Sequence, residues 1–341
     1  MKKLILLLFI PLVFCCNESV KYSNEYELIE NWMKIPDDYV LGNPTGLALN
    51  SSQNLVVFHR GSRSWQVPMP KEKIIEDTFV EIDKISGDII KSWGANLFIM
   101  PHGLEIDKDD NIWITDVGLH QVIKYDSNGN ELIVLGEENT PGKDSLHFNL
   151  PTDVAVSENG SFLVISAPYS DQDKGGLVRV YEFLNNQWIQ IGPDIKQSNI
   201  ATEFGMGLSI SADGSLLAIG APSESQVYDG NSVVWGGSVR LYQNINNEYV
   251  QLGNDIYGDS TITNIGYRID LSSDGSTLAI GSRSNGVRVY SIDHKAPTIS
   301  GPGGETSIRE NNTAIYTFSA DETVTWSITG GVDKDLFTID S

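Results

Sequence analysis

Five times along this chain, an alternating apolar run, a polar turn and a second apolar run follow one another. The starts of successive copies lie 57, 50, 54 and 61 residues apart. The copies begin with Gly46-Leu-Ala-Leu49, Gly103-Leu-Glu-Ile106, Asp153-Val-Ala-Val156, Gly207-Leu-Ser-Ile210 and Arg268-Ile-Asp-Leu271. Alternation with period two predicts strands, and turns of the Asp-Gly or Asn-Gly type predict hairpins. A hairpin unit that recurs about every 55 residues is typical of a β-propeller, with one four-stranded blade per repeat.

Further apolar runs supply the outer strands of these blades. They include Gln121–Tyr125, Leu177–Tyr181, Ser238–Tyr242 and Gly286–Tyr290. No segment shows a convincing helical period. We therefore predict an all-β chain, in which a β-propeller of about five to six blades precedes a partial β-sandwich domain. Five blades are directly visible, and residues 20–43 are the candidate for completing a sixth.

The charge of the chain excludes one class of partner. Its 341 residues contain 45 acidic and 23 basic side chains, for a formal net charge of −22 and a pI near 4.4. Nucleic acid is not expected as a partner, because no cationic surface is available to replace the counterions of phosphate. An acidic surface favours solubility, and its carboxylates and carbonyls favour divalent cations.

The amino terminus reads as an export signal. Two lysines follow Met1, and an eleven-residue apolar run extends from Leu4 to Phe14. Cys15 and Cys16 come next, which predicts a lipoprotein-type signal over residues 1–16 with Cys16, or else Cys15, as the lipidated residue. An ordinary secretory signal is the alternative. The protein is thus expected in the bacterial cell envelope or secreted, in contact with a membrane only through its lipid anchor.

The first half carries four motifs in a fixed order. They are Phe58-His-Arg-Gly61, Met100-Pro-His-Gly-Leu104, Asp116-Val-Gly-Leu-His-Gln121 and Pro151-Thr-Asp-Val-Ala-Val156. Over residues 30–160 this wording resembles the peptidyl-α-hydroxyglycine α-amidating lyase family, whose propeller is built from NHL repeats. Members of that family cleave peptides that end in α-hydroxyglycine into a peptide amide and glyoxylate. The resemblance implies a channel that holds Zn²⁺ on three histidines, an assisting arginine and tyrosine, and an axial Ca²⁺.

The family's functional residues carry over only where its motifs match. Arg60 takes the place of the active-site arginine, and His102 takes the place of the first zinc ligand. Leu47 and Leu104 match the residues whose backbone carbonyls hold calcium. Tyr169 falls where the catalytic tyrosine is expected, although the family wording around it is absent. The resemblance therefore implies Zn²⁺ and Ca²⁺ as cofactors.

Two of the three zinc histidines are missing. Alignment of the repeats places Thr45, His102, Thr152, Met206 and Tyr267 in register. The family has further histidines in two later blades, where this chain has methionine and tyrosine. A catalytic zinc takes three protein ligands, so a single matching histidine counts against activity.

Other side chains are also candidates for the same site. Asp153 and Glu203 are carboxylates that can replace a ligand, but the spacing singles out neither. We interpret His59, His120 and His147, which also lie in family motifs, as structural.

The repeats of the second half follow a different sequence pattern. Residues 161–293 resemble the FG-GAP-like propeller repeats of surface proteins, as in Leu216-Leu-Ala-Ile-Gly-Ala221 followed by Gly237-Ser-Val-Arg-Leu-Tyr242. Residues 297–341 resemble the first half of a cadherin-like domain, too short for a complete sandwich. The predicted domains are a signal peptide (1–16), lyase-like blades (25–160), FG-GAP-like blades (161–294) and a truncated cadherin-like domain (297–341).

Two functional hypotheses follow. The first is a peptidylamidoglycolate lyase-like protein that acts on α-hydroxyglycine-extended peptides. The second is a non-catalytic cell-surface propeller with a cadherin-like module, used for adhesion or ligand binding. The expected partner is accordingly a peptide substrate or a surface ligand. The specific motifs of the first half favour the first hypothesis, and the single matching zinc histidine favours the second.

Overall fold

A computed structural model describes most of the chain as β-structure. The described residues are 29–170, 175–197, 202–228, 232–234, 236–259, 262–283, 286–293, 299–300 and 319–320. Within them every regular element is a strand, and no helix is long and apolar enough to cross a membrane. Among the described residues, five sheets of three or four strands follow one another along the chain, which confirms the all-β prediction and the five-blade propeller arrangement.

Blades 1 to 3 are four-stranded antiparallel meanders with the strands in chain order. Blade 1 contains β1 (Pro44–Leu49), β2 (Leu55–His59), β3 (Phe79–Ile82) and β4 (Ile89–Trp93). Blade 2 contains β5 (Pro101–Ile106), β6 (Ile112–Asp116), β7 (Gln121–Tyr125) and β8 (Glu131–Leu135). Blade 3 contains β9 (Asp153–Val156), β10 (Phe162–Ala167), β11 (Leu177–Leu184) and β12 (Gln187–Lys196).

Blades 4 and 5 vary this pattern. Blade 4 contains β13 (Leu208–Ile210), β14 (Leu216–Ala221), β17 (Ser238–Ile245) and β18 (Glu248–Tyr257), with a small hairpin of β15 (Gln226–Tyr228) and β16 (Ser232–Val234) inserted. Blade 5 has three described strands, β19 (Ile265–Leu271), β20 (Thr277–Ser282) and β21 (Val287–Ser291). Beyond it, β22 (Ile299–Ser300) pairs with β23 (Ser319–Ala320).

Apolar side chains fill the spaces between successive blades. Each strand directs alternate residues to opposite faces, so one blade contributes to two interfaces. Phe58 and Phe79 stack at 4.3 Å in the core between blades 1 and 2. The first strands of neighbouring blades approach closely at glycine positions. A Cβ atom at Gly46 would lie 2.4 Å from Cβ of Leu104, so this position has no room for a side chain.

The last described blade has one uncovered face. Val239 and Leu241 of blade 4 are 0% and 9% exposed because blade 5 packs on them. Their counterparts in blade 5, Val287 and Val289, are 65% and 66% exposed. On the first strand of blade 1, Leu47 is likewise 61% exposed. The five described blades therefore leave blade-facing apolar surface uncovered at both ends of the array.

The segment before β1 packs on blade 1. Trp32, Met33, Tyr39 and Leu41 pack against the cluster that contains Val57 and Val80. An isolated bridge joins Lys34 to Asp88 beside the fourth strand. The described part of the segment proposed for a sixth blade, residues 29–43, thus covers blade 1 and contains no strand.

Blades 3 and 4 share a sequence motif, and in both blades that motif forms the same ion pair. Arg179 pairs with Asp194 at 3.0 Å, and Arg240 pairs with Asp255 at 2.6 Å. In both blades a β-bulge occurs beside the arginine, and a glutamine four residues before the aspartate also donates to it. The Gln-x-Gly-x-Asp copies therefore hold the two outer strands together.

Two predicted regions lie outside the described residues. The signal segment 1–16, with both cysteines, falls outside the described residues, as does nearly all of residues 297–341. The domain boundaries and the cadherin-like sandwich therefore stay predictions.

Candidate functional site

The first strands of all five blades surround a central channel, and a cavity of about 390 Å³ opens at one end of it. Each blade contributes to its lining, with Thr45, His102, Thr152, Met206 and Arg268 in chain order. A space of this size suits a small ligand or the end of a peptide. The first four of these residues are the ones that the alignment of the repeats placed at equivalent positions.

Arg60 follows β2 and lies beside this cavity. Its side chain is 9% exposed, and its Nε donates to the carbonyl oxygen of Pro101 at 3.0 Å. Its guanidinium carbon lies 5.3 Å from the ring centroid of Trp65. Burial lowers the pKa of Arg60, and the Asp116 carboxylate opposes that effect. Arginine nevertheless stays protonated in proteins, so Arg60 places a permanent positive charge next to the cavity.

His102, in β5, lines the cavity as a neutral imidazole. Its Nδ1 lies 2.7 Å from the carbonyl oxygen of Thr152, which can only accept a hydrogen bond. The proton therefore sits on Nδ1, and Nε2 keeps a free lone pair. Burial, with the nearby charges of Arg60 and Arg268, lowers the pKa of His102 to about 4, although its hydrogen bond to Thr152 opposes this.

Asp116 positions the backbone just before the strand that contains His102. Its buried carboxylate accepts hydrogen bonds from the backbone N–H groups of Ile99, Met100, Gly118 and Leu119. Burial raises the pKa of Asp116, and these four backbone donors oppose the rise. Asp116, which begins the Asp116-Val-Gly-Leu-His-Gln121 motif, thereby fixes the backbone of Met100, which begins the Met100-Pro-His-Gly-Leu104 motif.

Tyr169 belongs to a second cluster, formed by blades 3 and 4. Its hydroxyl donates to Glu203 Oε1 at 2.7 Å, while Ser223 donates to Glu203 Oε2 at 2.5 Å. Burial and the Glu203 carboxylate raise the pKa of Tyr169. Tyr267 lies nearby, and its hydroxyl accepts a hydrogen bond from Arg283 Nη1 at 3.0 Å. The structure thus brings Arg60 and His102 together, whereas it binds Tyr169 to Glu203.

The residues present do not fit a three-ligand zinc centre. Across the described part of the chain, no three His, Cys, Asp or Glu side chains gather as a metal-binding group. Nε2 of His102 is a suitable ligand atom, because its Nδ1–H donates to a carbonyl as in most metal-bound histidines. Met206 lines the same cavity but brings a thioether, a poor ligand for zinc. No chemical step through zinc follows from this arrangement.

The other motif histidines have structural hydrogen bonds. His59 is fully buried, where Tyr39 bonds its Nε2 and the backbone N–H of Gly61 donates to its Nδ1. His120 accepts the backbone N–H of Leu150 on Nδ1. His147 bonds to Asp144 and Glu137 at the surface. Their interpretation as structural residues agrees with these contacts.

The predicted calcium position fits the residues around it. Leu47 and Leu104 lie on the neighbouring strands β1 and β5, and both line the channel cavity. Glu105 lines it as well, and burial, with Asp153 and Asp270 nearby, raises its pKa to about 8. Carbonyl and carboxylate oxygens are the ligands that Ca²⁺ prefers. Calcium on the axis stays a prediction.

Sequence reasoning missed three residues of this site. Trp65 lies near both Arg60 and His102, with ring centroids 6.3 Å apart in the second case. Arg268 lines the cavity, and Arg283 lies over the ring of Tyr267 at 5.3 Å. The alignment of the repeats could have indicated Arg268, because this arginine occupies the position that holds glycine in blades 1, 2 and 4.

Comparison with known proteins supports the motif assignment. No protein-family model matches the chain. Rat peptidylglycine α-amidating monooxygenase is 42% identical over 41% of this chain and 16% of its own length. A probable peptidyl-α-hydroxyglycine α-amidating lyase of Caenorhabditis elegans is 39% identical over 36% of this chain and 38% of its own. NHL repeat-containing protein 3 of the mouse is 26% identical over 62% of this chain and 59% of its own.

These similarities confirm the predicted resemblance to amidating lyases and NHL-repeat proteins. The chain spans well under half the length of the two amidating enzymes, so the match concerns part of each. The described fold is all-β, with five blades around a channel. This chain is therefore a β-propeller that is similar, over part of its length, to peptidyl-α-hydroxyglycine α-amidating lyases.

Proposed function

We propose that this chain binds peptides that end in α-hydroxyglycine, with Arg60 holding the terminal carboxylate. The supporting observation is the Arg60 guanidinium, which lies in a nearly buried position beside His102. Its Nη groups have no hydrogen-bond partner among the described residues. A planar guanidinium binds a carboxylate through two parallel N–H donors, and burial strengthens such a pair. The similarity to amidating lyases indicates which carboxylate this is.

His102 recognises the hydroxyl group of the same residue. With its proton on Nδ1, its Nε2 accepts a hydrogen bond from the α-hydroxyl of the peptide. A pKa of about 4 makes this nitrogen a weak base at neutral pH. It therefore binds the hydroxyl without removing its proton. Trp65 provides an aromatic surface beside both groups.

The proposed activity is binding without turnover. Cleavage to amide and glyoxylate requires a base for the hydroxyl proton and a donor for the departing amide nitrogen. Among the described residues, Tyr169 donates to Glu203 and no three-ligand metal group is present. We further propose that binding takes place outside the cytoplasm, following the predicted signal over residues 1–16, with a lipid anchor at Cys16 or Cys15.

Calorimetric titration of the purified protein tests the proposal. The ligands are an acetylated peptide that ends in α-hydroxyglycine and the matching peptide amide, which lacks the carboxylate. The hydroxyglycine peptide is expected to bind, and the amide is not. Arg60→Ala should weaken binding by roughly 10- to 100-fold, the range for a lost hydrogen bond to a charged group. Arg63→Ala is the matched control, since Arg63 donates to the backbone of Glu72.

A melting curve of Arg60→Ala establishes that the variant is folded. Equal affinities for the hydroxyglycine peptide and the amide would contradict the assignment of Arg60. Release of glyoxylate from the hydroxyglycine peptide, with or without added zinc, would contradict binding without turnover. No saturable binding of either peptide would leave the surface-module hypothesis in its place.

A further inference from the structure

A closed chain of hydrogen bonds surrounds His102 and passes through one hydroxyl group. The backbone N–H of Gly103 donates to Thr115 Oγ1 at 2.7 Å, and this hydroxyl donates to the carbonyl oxygen of Thr152 at 2.9 Å. The same carbonyl oxygen accepts the Nδ1–H of His102 at 2.7 Å. Because Gly103 follows His102 in the chain, the side chain and the adjoining backbone of this histidine are both bound to the pair formed by Thr115 and Thr152.

The groups themselves fix the direction of each hydrogen bond. A carbonyl oxygen has two lone pairs, and those of Thr152 receive one N–H and one O–H. The Thr115 hydroxyl has a single proton and accepts the N–H of Gly103, so that proton goes to Thr152. Thr115 and Thr152 are both 0% exposed. A Cβ atom at Gly103 would lie 2.8 Å from the Thr152 oxygen and 2.9 Å from Thr115 Oγ1, so only glycine fits against this pair.

The hydroxyl of Thr115 is specific to the blade that contains His102. The strand pairings place one residue of each blade at the equivalent position, and in chain order these are Phe58, Thr115, Ser166, Gly220 and Gly281. Three of the five have no hydroxyl. The side chain of Ser166 has one described hydrogen bond, with Thr152 Oγ1 of its own blade at 3.5 Å. The blade architecture therefore does not require a hydroxyl here, and the hydroxyl of Thr115 serves the neighbouring histidine.

We infer that Thr115 is a positioning residue for His102, through which the site distinguishes a C-terminal α-hydroxyglycine from a C-terminal glycine. With its Nδ1–H bound to Thr152, His102 can accept a hydrogen bond on Nε2 but cannot donate one. The α-hydroxyl of the peptide is a donor, whereas glycine has only C–H bonds at that carbon. The inference rests on the proposed function, because it takes Nε2 of His102 as the group that meets the hydroxyl. Thr115 is buried and acts only through His102.

Two peptides of equal charge test the inference by calorimetric titration. They are acetyl-Ala-Ala-hydroxyglycine and acetyl-Ala-Ala-glycine, which share the carboxylate for Arg60 and differ in one hydroxyl. The unmodified protein should bind the hydroxyglycine peptide about fivefold more tightly, as expected for one hydrogen bond between neutral groups. Thr115→Val removes the hydroxyl and keeps the shape of the side chain. It should lower the preference to less than about twofold and leave the affinity for the glycine peptide within about twofold of the unmodified protein.

Two further variants separate positioning from a general loss of packing. Thr115→Ser keeps the hydroxyl and should keep the preference for the hydroxyglycine peptide. Thr78→Val makes the same substitution at another fully buried threonine, whose hydroxyl donates to the backbone of Gly94 in blade 1. This control should also keep the preference.

Nitrogen NMR of the imidazole ring gives a readout that a change in stability alone does not produce. In the free unmodified protein and in Thr78→Val, His102 should show a protonated Nδ1 and an unprotonated Nε2. In Thr115→Val the two nitrogen shifts should move towards each other, because exchange between the two tautomers averages them. A His102→Gln variant assigns the signals.

The possible results separate this inference from the proposed function. A proton on Nε2 of His102 in the unmodified protein would overturn the inference without any variant. A Thr115→Val protein that keeps the full preference for the hydroxyglycine peptide would overturn it as well. Equal binding of the two peptides by the unmodified protein would overturn the role of His102 but not that of Arg60. Failure of both peptides to bind would overturn the proposed function, and this inference with it.

Discussion

The Nδ1–H of His102 donates to the backbone carbonyl oxygen of Thr152 at 2.7 Å, which joins blade 2 to blade 3 at the channel mouth. The same oxygen accepts a second hydrogen bond from Thr115 Oγ1 at 2.9 Å, and Thr115 in turn accepts the backbone N–H of Gly103. The imidazole is thus held in one orientation and one tautomer by the fold itself. Its Nε2 is left for a ligand, whether or not a metal is bound.

The pKa values of the buried histidines and of the surface histidine His147 should be shifted in opposite directions. Burial lowers the pKa of both His59 and His102 to about 4, against an ordinary value of 6.5. Hydrogen bonds to Asp144 and Glu137 raise the pKa of His147. A pH titration followed by NMR of the imidazole carbons should show midpoints near 4 for His59 and His102 and a midpoint above 6.5 for His147. A midpoint of 6 or more for His102, assigned with a His102→Gln variant, would contradict the neutral tautomer.

The fold was predictable because each blade repeats the same local pattern. The apolar alternation before and after Asp213 and Gly214 specifies a hairpin, and five copies specify five blades. The uncovered face of blade 5 was not predictable in this way. Val239 and Val287 stand in equivalent positions with the same side chain, yet one is 0% and the other 65% exposed. Their environments differ because only one of them has a described blade packed against it.

The site was predictable only where a continuous motif carries it. Arg60 and His102 lie in short motifs, and the structure places them beside one another. Arg268 and Trp65 reach the same region from a different blade and from a loop, without a motif of their own. Their roles depend on distances between elements that are far apart in the chain, which spacing alone does not give.

The equivalent valines provide a matched test of the open face. Val239→Thr buries a hydroxyl between blades 4 and 5, which should cost about 1–3 kcal/mol of unfolding free energy. Val287→Thr should change it by less than about 0.5 kcal/mol, because the side chain already meets solvent. Urea denaturation of both variants measures the difference. Equal losses would mean that another part of the protein covers blade 5.

The repeated ion pair should contribute differently in different blades. Arg240 is 9% exposed and donates to both oxygens of Glu224 at 3.0 Å and to Asp255 at 2.6 Å. Arg240→Ala leaves the buried carboxylate of Glu224 and the partly buried carboxylate of Asp255 without a cationic partner, and it should cost about 3–5 kcal/mol. Arg288→Ala breaks a pair with the half-exposed Asp259 and should cost about 1 kcal/mol or less. Similar losses in the two variants would contradict the role of burial.

Calcium should stabilise the folded propeller if it binds at the axis. A ligand that binds only the folded state raises the unfolding free energy by about 2.7 kcal/mol at a hundredfold excess over Kd. The melting temperature should therefore rise between excess chelator and excess Ca²⁺, and Mg²⁺ should have a smaller effect because it demands a tighter octahedral site. An unchanged melting temperature would count against the carbonyls of Leu47 and Leu104 as ligands.

Glu105 should make stability depend on pH through the neutral range. Burial raises its folded-state pKa to about 8, with Asp153 and Asp270 adding to the rise, against an ordinary value of 4.5. The folded state therefore keeps a proton that the unfolded chain has lost between these two values. The corresponding stability is present below pH 4.5 and is lost as the pH rises towards 8.

Glu105→Gln removes this titration and keeps the shape of the side chain. The variant should unfold with nearly the same free energy as the unmodified protein at pH 4.5 and should be more stable by roughly 1–3 kcal/mol at pH 9. Asp153→Asn is the comparison. The difference in unfolding free energy between this variant and the unmodified protein should level off near pH 6, because burial raises the pKa of Asp153 to about 6. Urea denaturation across the pH range, without added calcium, gives both difference curves. A flat curve for Glu105→Gln would show that the carboxylate is ionised in the folded channel.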